Sequence, residues 1–257
     1  MTSNFVQNPI FSIVMPVYNT QAYIEEAVNS LIEQAGGFFR STEVILLNDG
    51  SKDESGRICA SLASKYPENI RYVEKENSGV SDTKNQGIEL ARGEFVGFLD
   101  SDDKYEDSMF ASLMSFRERF PEVQVISVPI EFFEGRKGPH RLNWKFRGGT
   151  RVIDIHDDWK YAQLSAASTF VKRDLLIASG IRFDKTIHLA EDSKFITEVI
   201  MESGQYGLMA DAAYLYRKRV DSNSAIDSFQ SRADSYAPVV ENAWLYLLEK
   251  YQNGFGV

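Results

Sequence analysis

The sequence has few of the residues that build covalent or metal frameworks. With one cysteine and three histidines in 257 residues, it lacks the side chains for a disulfide framework or a Cys/His zinc cage, so any metal must be held mainly by oxygen ligands. No apolar run approaches the roughly 20 residues that cross a bilayer, and the first eight residues do not resemble a signal peptide. These absences predict a soluble, cytoplasmic protein, and leave open a peripheral contact with the inner face of the membrane.

Positive charge is also scarce. The chain has 28 Lys and Arg against 37 Asp and Glu, a formal net charge of −9. Sequence-independent nucleic-acid binding relies on dense positive charge, so we expect no nucleic-acid partner. Several motifs are missing as well: G-x-x-x-x-G-K-[ST], G-x-G-x-x-G after the first strand, G-x-S-x-G and H-E-x-x-H. Their absence disfavours a P-loop enzyme, a dinucleotide-binding Rossmann domain, a hydrolase with a nucleophile elbow and a zinc peptidase.

What is present is an alternation of strands and helices in the first hundred residues. Short apolar strands are predicted at 11–17, 44–47, 71–73 and 95–99, with amphipathic helices between them. This alternation predicts an α/β fold with a mostly parallel central sheet flanked by helices. Ligands of such sheets bind beyond the carboxyl ends of the strands, where Asn19, Asp49 and Asp100 lie. Ser51 and Glu54 also fit a capping box for the second helix.

The second half of the chain has a less regular pattern. Helices are predicted near Met109 and at 173–179 and 191–201, and strands at 123–128, 168–172 and 214–219. Residues 131–151 have no clean period and several glycines, which favours a long functional or mobile excursion. Apolar residues at helical spacing between 240 and 251 predict a terminal helix that needs a partner surface.

A run of acidic residues, 100–103, directly follows the fourth predicted strand. Carboxylates at a strand end can grip a hard divalent cation whose open positions take phosphate oxygens. The same residues would also serve as a helix cap and first-turn acids, which alone would explain Asp102 or Asp103. Taken by itself, the cluster supports both interpretations equally.

Six short motifs together resemble the family 2 glycosyltransferases. They are residues 11–19 (FSIVMPVYN), 48–51 (NDGS), 77–81 (NSGVS), 84–87 (KNQG), 100–103 (DSDD) and 190–192 (AED). The resemblance implies a single GT-A domain over 1–227, with a nucleotide-binding half at about 10–103 and an acceptor half at about 104–227. A C-terminal helical extension at 228–257 would follow. It also implies inverting transfer of a sugar from a nucleotide-diphosphate donor, with UDP as the expected nucleotide.

The resemblance also implies a set of nucleotide-binding residues. They are Pro16, Tyr18, Asn19, Asp49, Ser51, Asn77, Lys84, Asp100, Ser101, Arg217 and Arg219. Asp49 would accept a hydrogen bond from a uracil N–H, although a turn residue is the simpler interpretation of that position alone. Lys84 would lie near the phosphates, where the family usually has Arg, and Lys lacks the bidentate fork of Arg. Arg217 and Arg219 would reach the pyrophosphate, or would form an exposed basic strand edge.

The metal and the catalytic base follow from the same resemblance. Asp100 and Asp102 match the D-x-D element that holds Mn²⁺ or Mg²⁺ on the diphosphate, and Asp103 would complete that shell or cap the next helix. Asp192 matches the general base that takes the proton of the acceptor hydroxyl, while Glu191 would orient the loop or the acceptor. The alternative for Glu191 and Asp192 is a pair of acids favoured by a helix N-terminus.

The acceptor is less defined. The family's processive synthases have a Q-x-x-R-W element and transmembrane helices, and both are missing here, which favours a non-processive hexosyltransferase acting on a cell-surface glycan, wall polymer or glycoprotein. The basic stretch 136–151, with Arg141 and Trp144, suggests an anionic acceptor such as a phosphate-containing wall polymer or a lipid-diphosphate carrier. A solvated loop with aromatic residues in the core explains it as well. His188 would line the site or be structural.

Two alternative functions and two questions about the organisation of the chain stay open at this point. A sugar nucleotidyltransferase shares the layout and the metal-binding acids, although its Gly-rich, Arg-containing first loop is replaced here by Pro16-Val17-Tyr18-Asn19-Thr20. A non-catalytic nucleotide-sugar-binding module of the same fold is the second alternative. The terminal helix would pack on its own domain or form a homo-oligomer, and the chain could be one module of a longer protein.

Overall fold

The computed structural model describes residues 6, 8–37, 41–187 and 191–218. In the first half the elements are β1 (Phe11–Val17), α1 (Ile24–Ile32), β2 (Thr42–Asp49), α2 (Ser55–Lys65), β3 (Ile70–Lys75), α3 (Val80–Leu90), β4 (Phe95–Phe98) and β5 (Lys104–Tyr105). In the second half they are α4 (Met109–Arg119), β6 (Val125–Ser127), β7 (Ile130–Glu134), β8 (Gly138–Pro139), β9 (Arg151–Asp154), β10 (Thr169–Lys172), α5 (Arg173–Ser179), α6 (Glu191–Ser203), β11 (Gln205–Leu208) and β12 (Tyr214–Arg217). Two 3₁₀ helices lie at Arg141–Phe146 and Trp159–Tyr161.

The main sheet has eight strands in the order β3-β2-β1-β4-β10-β6-β11-β9. Its first four strands are parallel, as the alternation of strands and helices predicts, and residues 11–17 of β1 pair in register with 42–48 of β2. The remaining strands have mixed directions: β10 is antiparallel to β4 and β6, β11 is parallel to β6, and β9 is antiparallel to β11. The half predicted to bind the nucleotide therefore has a parallel sheet, and the half predicted to bind the acceptor has a mixed one.

Strand β1 shows why the sheet is covered on both faces. Phe11, Ile13, Met15 and Val17 belong to the apolar cluster on one face, and Val14 belongs to the cluster on the other. Side chains alternate across a strand, so a strand that is apolar at almost every position must be buried on both sides. Helix α1 packs against the first face with Ile24, Ala27, Val28 and Leu31, at the spacing the sequence predicts.

A second sheet extends the fold at the carboxyl ends of the parallel strands. It has four short strands in the order β5-β12-β7-β8. Strand β5 directly follows the acidic residues 100–103, and it pairs antiparallel with β12. The acidic loop is therefore anchored to the last described strand.

Two local predictions are wrong. Residues 131–151 do not form a long loop, because they contain β7, β8, a 3₁₀ helix and the start of β9. Helix α2 has no capping box, since its N-cap is Glu54 without a side-chain cap. Instead the Ser51 Oγ accepts a hydrogen bond from the Asn19 N–H, and the Asp53 carboxylate accepts one from the Ser55 N–H. Asn19 and Ser51 are 32 residues apart in the sequence, so a local pattern does not reveal their contact.

The predicted C-terminal helix and the boundary near 227 lie outside the described residues. In the part of the chain that the structure describes, no helix combines the length and the apolar character needed to cross a bilayer.

Candidate active site

The loops after β1, β2 and β4 are tied together at the carboxyl edge of the parallel sheet. Asn19 has a left-handed backbone (φ 52°), which directs its N–H to the Ser51 Oγ at 3.0 Å. Its side-chain oxygen accepts the Lys52 N–H at 2.8 Å. Thr20 donates through Oγ1 to the Ser101 Oγ, at 2.9 Å. Three of the predicted nucleotide-binding residues, Asn19, Ser51 and Ser101, therefore belong to one hydrogen-bonded rim.

Asp49 ends β2 and faces the loop that follows β3. Its carboxylate accepts the backbone N–H groups of Ser78 and Gly79, each at 2.9 Å, and pairs with the Lys75 ammonium. Burial alone would raise the pKa of Asp49, but the hydrogen bonds from Lys75, Ser78 and Gly79 outweigh it and hold the pKa below its usual value. Asp49 is consequently an ionised hydrogen-bond acceptor at neutral pH.

Asn77 and Gly50 shape the same corner. The Asn77 side-chain amide donates to the Asp49 carbonyl at 2.8 Å. Gly50 has a positive φ of 71°, and a Cβ at this position would lie 3.0 Å from the backbone nitrogen of Asn77. A surface cavity of about 490 Å³ opens here and includes Ser51, Lys75 and Asn77 in its lining. Two more of the residues predicted to contact the nucleotide lie in or after β1: Pro16 pairs with Leu47, and Tyr18 is 51% exposed.

A larger cavity, of about 660 Å³, lies elsewhere, between α5 and α6, with Arg182, Lys194 and Glu198 in its lining. None of the residues predicted to bind the donor lines it. The smaller cavity is the better candidate for a nucleotide because loops from two parallel strands form it at the carboxyl edge of the sheet.

The acidic residues after β4 have different environments. Burial raises the pKa of Asp100 to about 6; Lys84 opposes this shift, and the charges of Asp102, Asp192 and Glu191 add to it. Asp103 is buried, and its carboxylate accepts the Tyr214 hydroxyl at 2.6 Å and the Arg217 N–H at 2.7 Å. It therefore does not cap α4, which begins six residues later and has Ser108 at its N-cap position.

Asp192 lies in the first turn of α6, as the sequence predicts, and approaches the acidic loop through Lys84. The Lys84 Nζ lies 2.8 Å from Asp192 Oδ1 and 4.0 Å from Glu191 Oε1. The same ammonium and the carboxylates of Asp192 and Glu191 act electrostatically on Asp100. The structure thus brings Asp100, Asp192, Glu191 and Lys84, from three separate elements, into one charged cluster.

Arg217 is placed inside the fold. Its side chain is 5% exposed and forms ion pairs with Glu26 and Glu134, while Nε donates to the Asp102 carbonyl at 2.7 Å. The guanidinium also lies over the rings of Tyr23 and Phe133. Arg217 therefore holds the acidic loop in place through its hydrogen bonds to Asp102 and Asp103. Its contact with the pyrophosphate stays a prediction. Arg219 and His188 lie outside the described residues.

The basic stretch 136–151 divides into exposed and internal residues. Arg136, Lys137, Arg141 and Arg147 are exposed. Lys145 is buried and donates to the Ala162 carbonyl at 2.6 Å, and Arg151 lies over the Tyr161 ring. Trp144 is 38% exposed, and its ring lies 5.5 Å from that of Tyr161. Only part of the stretch can therefore face a substrate.

One residue of the site has no signal in the sequence. Lys75 ends β3 and contacts Asp49, Ser78 and the Glu76 carbonyl. A lysine at the end of a half-buried strand is usually interpreted as a surface residue, so only the pairing of β3 with β2 reveals its partner.

The comparison with protein-family models matches residues 12–179 to the family described as "Glycosyl transferase family 2". The chain is 40% identical over 219 residues to the minor teichoic acid biosynthesis protein GgaB of Bacillus subtilis, covering 85% of this chain and 24% of GgaB. It is 34% identical over 250 residues to GgaA of the same organism, covering 96% of this chain and 56% of GgaA. The chain therefore spans between a quarter and somewhat more than half of these two relatives.

Solved structures show the same fold. Residues 1–349 of Staphylococcus aureus TarS, in complex with UDP-GlcNAc, superpose with a TM-score of 0.71 at 25% identity, over 81% of this chain and 58% of that one. A Pyrobaculum calidifontis mannosyltransferase, in complex with GDP-Man and Mn²⁺, superposes with a TM-score of 0.62 at 18% identity, over 97% and 73% of the two chains. The expected single GT-A domain is confirmed, and the chain belongs to glycosyl transferase family 2.

Proposed function

We propose that this chain is an inverting, metal-assisted glycosyltransferase domain that moves a sugar from a UDP-linked donor to a hydroxyl of a cell-surface polymer. The observation that carries the proposal is the charged cluster at the carboxyl edge of the sheet, where Asp192 and Asp100 share Lys84. A base for an incoming hydroxyl and an anchor for a leaving diphosphate are the two groups that such a transfer needs.

The nucleotide half supplies the donor site in this proposal. Asp49 is ionised, and Ser78, Gly79 and Lys75 use three of the roughly four lone pairs of its carboxylate, which leaves one on Oδ2. It can accept an N–H from a nucleobase in the cavity beside Ser51 and Asn77. The hydrogen-bonded rim of Asn19, Ser51 and Ser101 fixes the loops around it before the donor arrives, so little ordering is left for the binding step.

The residues present fit a hard divalent cation. Burial, and after it the charges of neighbouring carboxylates, raise the pKa of Asp100, and a bound cation would favour the ionised form of this carboxyl. Within the described residues no set of three His, Cys, Asp or Glu side chains is arranged to hold a metal alone, so substrate oxygens would complete the shell. Asp100 and Asp102 would hold Mn²⁺ or Mg²⁺, which would neutralise charge on the departing diphosphate.

Asp192 is the proposed general base. Its carboxylate is 25% exposed, so that a hydroxyl can reach it, and it is held in place by hydrogen bonds. Deprotonation of the hydroxyl during attack leaves the proton on Asp192. Glu191, in the same helical turn, lies 4.0 Å from Lys84 and would orient the acceptor or the loop.

The acceptor that we propose is a phosphate-containing wall polymer. The names of GgaB and GgaA place those relatives in minor teichoic acid biosynthesis. In this chain, of net charge −9, the exposed residues Arg136, Lys137, Arg141 and Arg147 form a local reversal of charge. Each cation near an anionic surface contributes on the order of 1 kcal/mol.

The donor half of the proposal is tested by titrating UDP and GDP with and without Mn²⁺, and by screening nucleotide sugars for metal-dependent hydrolysis. We expect UDP affinity that rises with Mn²⁺, and hydrolysis of at least one UDP-sugar. Metal-independent binding without turnover would instead indicate a non-catalytic module. Formation of a nucleotide sugar from a sugar phosphate and UTP would indicate a nucleotidyltransferase.

The acceptor half is tested by reversing three charges, Arg136→Glu, Lys137→Glu and Arg141→Glu, and measuring the acceptor KM as salt varies. We expect a KM that rises at least about tenfold at low salt and converges with wild type at high salt, because exposed charges are screened. The matched control reverses Arg57, Lys65 and Arg71, which are exposed on the nucleotide half. Equal KM values for the two triple variants would rule out the anionic acceptor.

A further inference from the structure

Lys84 lies on the buried face of α3, although lysine is a residue that proteins rarely bury. Its side chain is 4% exposed, and its ammonium lies 2.8 Å from Asp192 Oδ1. The second carboxylate oxygen, Oδ2, accepts the backbone N–H of Ala166 at 3.1 Å. Two donors from different parts of the fold therefore hold the two oxygens of Asp192, and together they determine how the carboxylate plane is oriented.

Lys84 is itself held firmly. Its Nζ lies 5.0 Å from the centroid of the Phe183 ring, which stacks on Phe195 of α6 with centroids 4.0 Å apart. Asn85, the next residue, exchanges two hydrogen bonds of 2.8 Å with the backbone of Phe183. The lysine thus rests on an aromatic platform that is fixed both to its own helix and to the helix of Asp192.

Helix α3 can bring Lys84 so deep because of Gly87, one turn further along the same face. A Cβ at position 87 would lie 2.2 Å from Cγ1 of Val14 in β1. The absence of that carbon lets the helix lie directly on the sheet. Lys84 then reaches the carboxyl edge of the sheet, where the acidic residues are.

The environment of Lys84 favours its protonated, positively charged form. Burial alone would lower its pKa, but the charges of Asp192, Asp100 and Glu191 raise the pKa above its usual value. The ammonium therefore stays charged throughout the pH range in which a transferase works, and it remains an ion-pair partner for the carboxylate.

We propose that Lys84 is a positioning residue for the general base: it holds the Asp192 carboxylate in the orientation that accepts the acceptor proton, and it does not clamp the donor diphosphate. This inference rests on the proposed function. It assigns Lys84 to the acceptor step, whereas the resemblance places it among the groups near the phosphates.

The two roles separate in kinetics. Lys84→Met removes the ammonium and keeps the length of the side chain. We expect kcat to fall about 10- to 100-fold, because a misdirected catalytic group costs about that much, while the donor KM and the UDP dissociation constant stay within about twofold. Lys84→Arg keeps the cation and should recover most of the lost kcat. A diphosphate clamp would give the opposite result: weaker UDP binding and higher donor KM with a smaller change in kcat.

A matched control separates this effect from loss of an ion pair with one buried partner in general. Arg92 pairs with Glu43, whose side chain is 1% exposed, at the other edge of the sheet. Arg92→Met should lower thermal stability but leave kcat per folded molecule unchanged. Lys84→Met with kcat equal to wild type would overturn the proposal.

The double variant Lys84→Met/Asp192→Asn completes the test. If Lys84 acts through Asp192, the double variant should turn over at the residual rate of Asp192→Asn alone and bind UDP equally well. A further 10-fold loss, or lost UDP binding, would show an independent role. This variant removes both charges, so the comparison with Asp192→Asn still decides the matter if Lys84→Met alone does not fold. An inactive wild-type chain counts against the proposed function, not against this inference.

Discussion

Two ion pairs, each with one buried partner, lie at opposite edges of the same parallel sheet, and they differ in charge balance. At the amino-terminal edge, Glu43 faces a single guanidinium: Arg92 donates to it through two side-chain nitrogens and its backbone N–H, and the Ser12 hydroxyl also donates. One charge meets one charge, with additional hydrogen bonds to the carboxylate.

At the carboxyl edge, one ammonium faces several carboxylates. Lys84 pairs with Asp192, lies 4.0 Å from Glu191 and also acts on Asp100. Burial raises the pKa of Asp100 to about 6, and the neighbouring carboxylates add to this shift while Lys84 opposes it. A balanced pair holds a fold together, whereas an unbalanced cluster costs stability and leaves room for a bound cation or a proton. This difference in charge balance supports our proposal that the active site lies at the carboxyl edge.

The largest expected effect comes from removing the base at the unbalanced edge. Asp192→Asn keeps the shape and can still accept a hydrogen bond from Lys84, but an amide cannot take the proton of a hydroxyl. Transfer should fall by a factor on the order of 10²–10⁴, with UDP affinity retained in a calorimetric titration. Glu191→Gln serves as the control and should cost much less. Near-normal turnover in Asp192→Asn would remove it from the role of base.

Breaking the balanced pair should act on stability alone. In Arg92→Met the Glu43 carboxylate loses its cation while its side chain stays 1% exposed. The free energy of unfolding should fall by about 3 kcal/mol, the scale for an uncompensated buried charge, as measured by urea denaturation. Reduced kcat in the folded variant would show that the two edges are not independent.

Gly87 tests the packing that brings Lys84 to its edge. In an open helix Gly→Ala is stabilising, but here the new methyl group would meet Val14. We expect Gly87→Ala to lower the free energy of unfolding by about 1–3 kcal/mol, the usual cost of overpacking, and to lower kcat. Shortening the neighbour with Val14→Ala should relieve part of the strain. A more stable Gly87→Ala variant would contradict the close packing of α3 on β1.

The smallest effect is expected at the ion pair of Asp184 and Lys194, whose side chains are 26% and 19% exposed. Hydrogen bonds from Lys194 and Thr186 lower the pKa of Asp184 to about 2. A carboxyl whose pKa is lowered by folding stabilises the fold at pH values above its pKa in the unfolded chain, which is about 4. This contribution is lost as the pH falls toward 2. Asp184→Asn should therefore cost about 1 kcal/mol at pH 7 after allowance for solvent screening. Urea denaturation at pH 7 and pH 3 should show that the difference in unfolding free energy between wild type and Asp184→Asn is smaller at pH 3. A difference that is larger at pH 3 would contradict a lowered pKa for Asp184.

Much of the nucleotide half could be predicted because its signals are local. Strand β1 follows from a short, nearly continuous apolar run and helix α1 from a hydrophobic period of about 3.6 residues. Asp49 and Asp100 follow from their positions at strand ends. The second half was harder to predict, because β7 and β8 are short and lie among glycines, and β7 pairs with β12, a strand far away in the sequence. No local period marks them, so 131–151 was predicted to be a loop.

The amino-acid order by itself determined the α/β alternation, the family motifs and the edge of the sheet where acidic side chains collect, since each depends on neighbours within a few residues. Tertiary structure alone decided which charges meet: Lys84 with Asp192, 108 residues apart, and Arg217 with Glu26, 191 residues apart. The chemistry of a side chain determines which groups the residue can bind. Its actual partner depends on which helix packs on which strand, and that is settled only when distant segments are buried together.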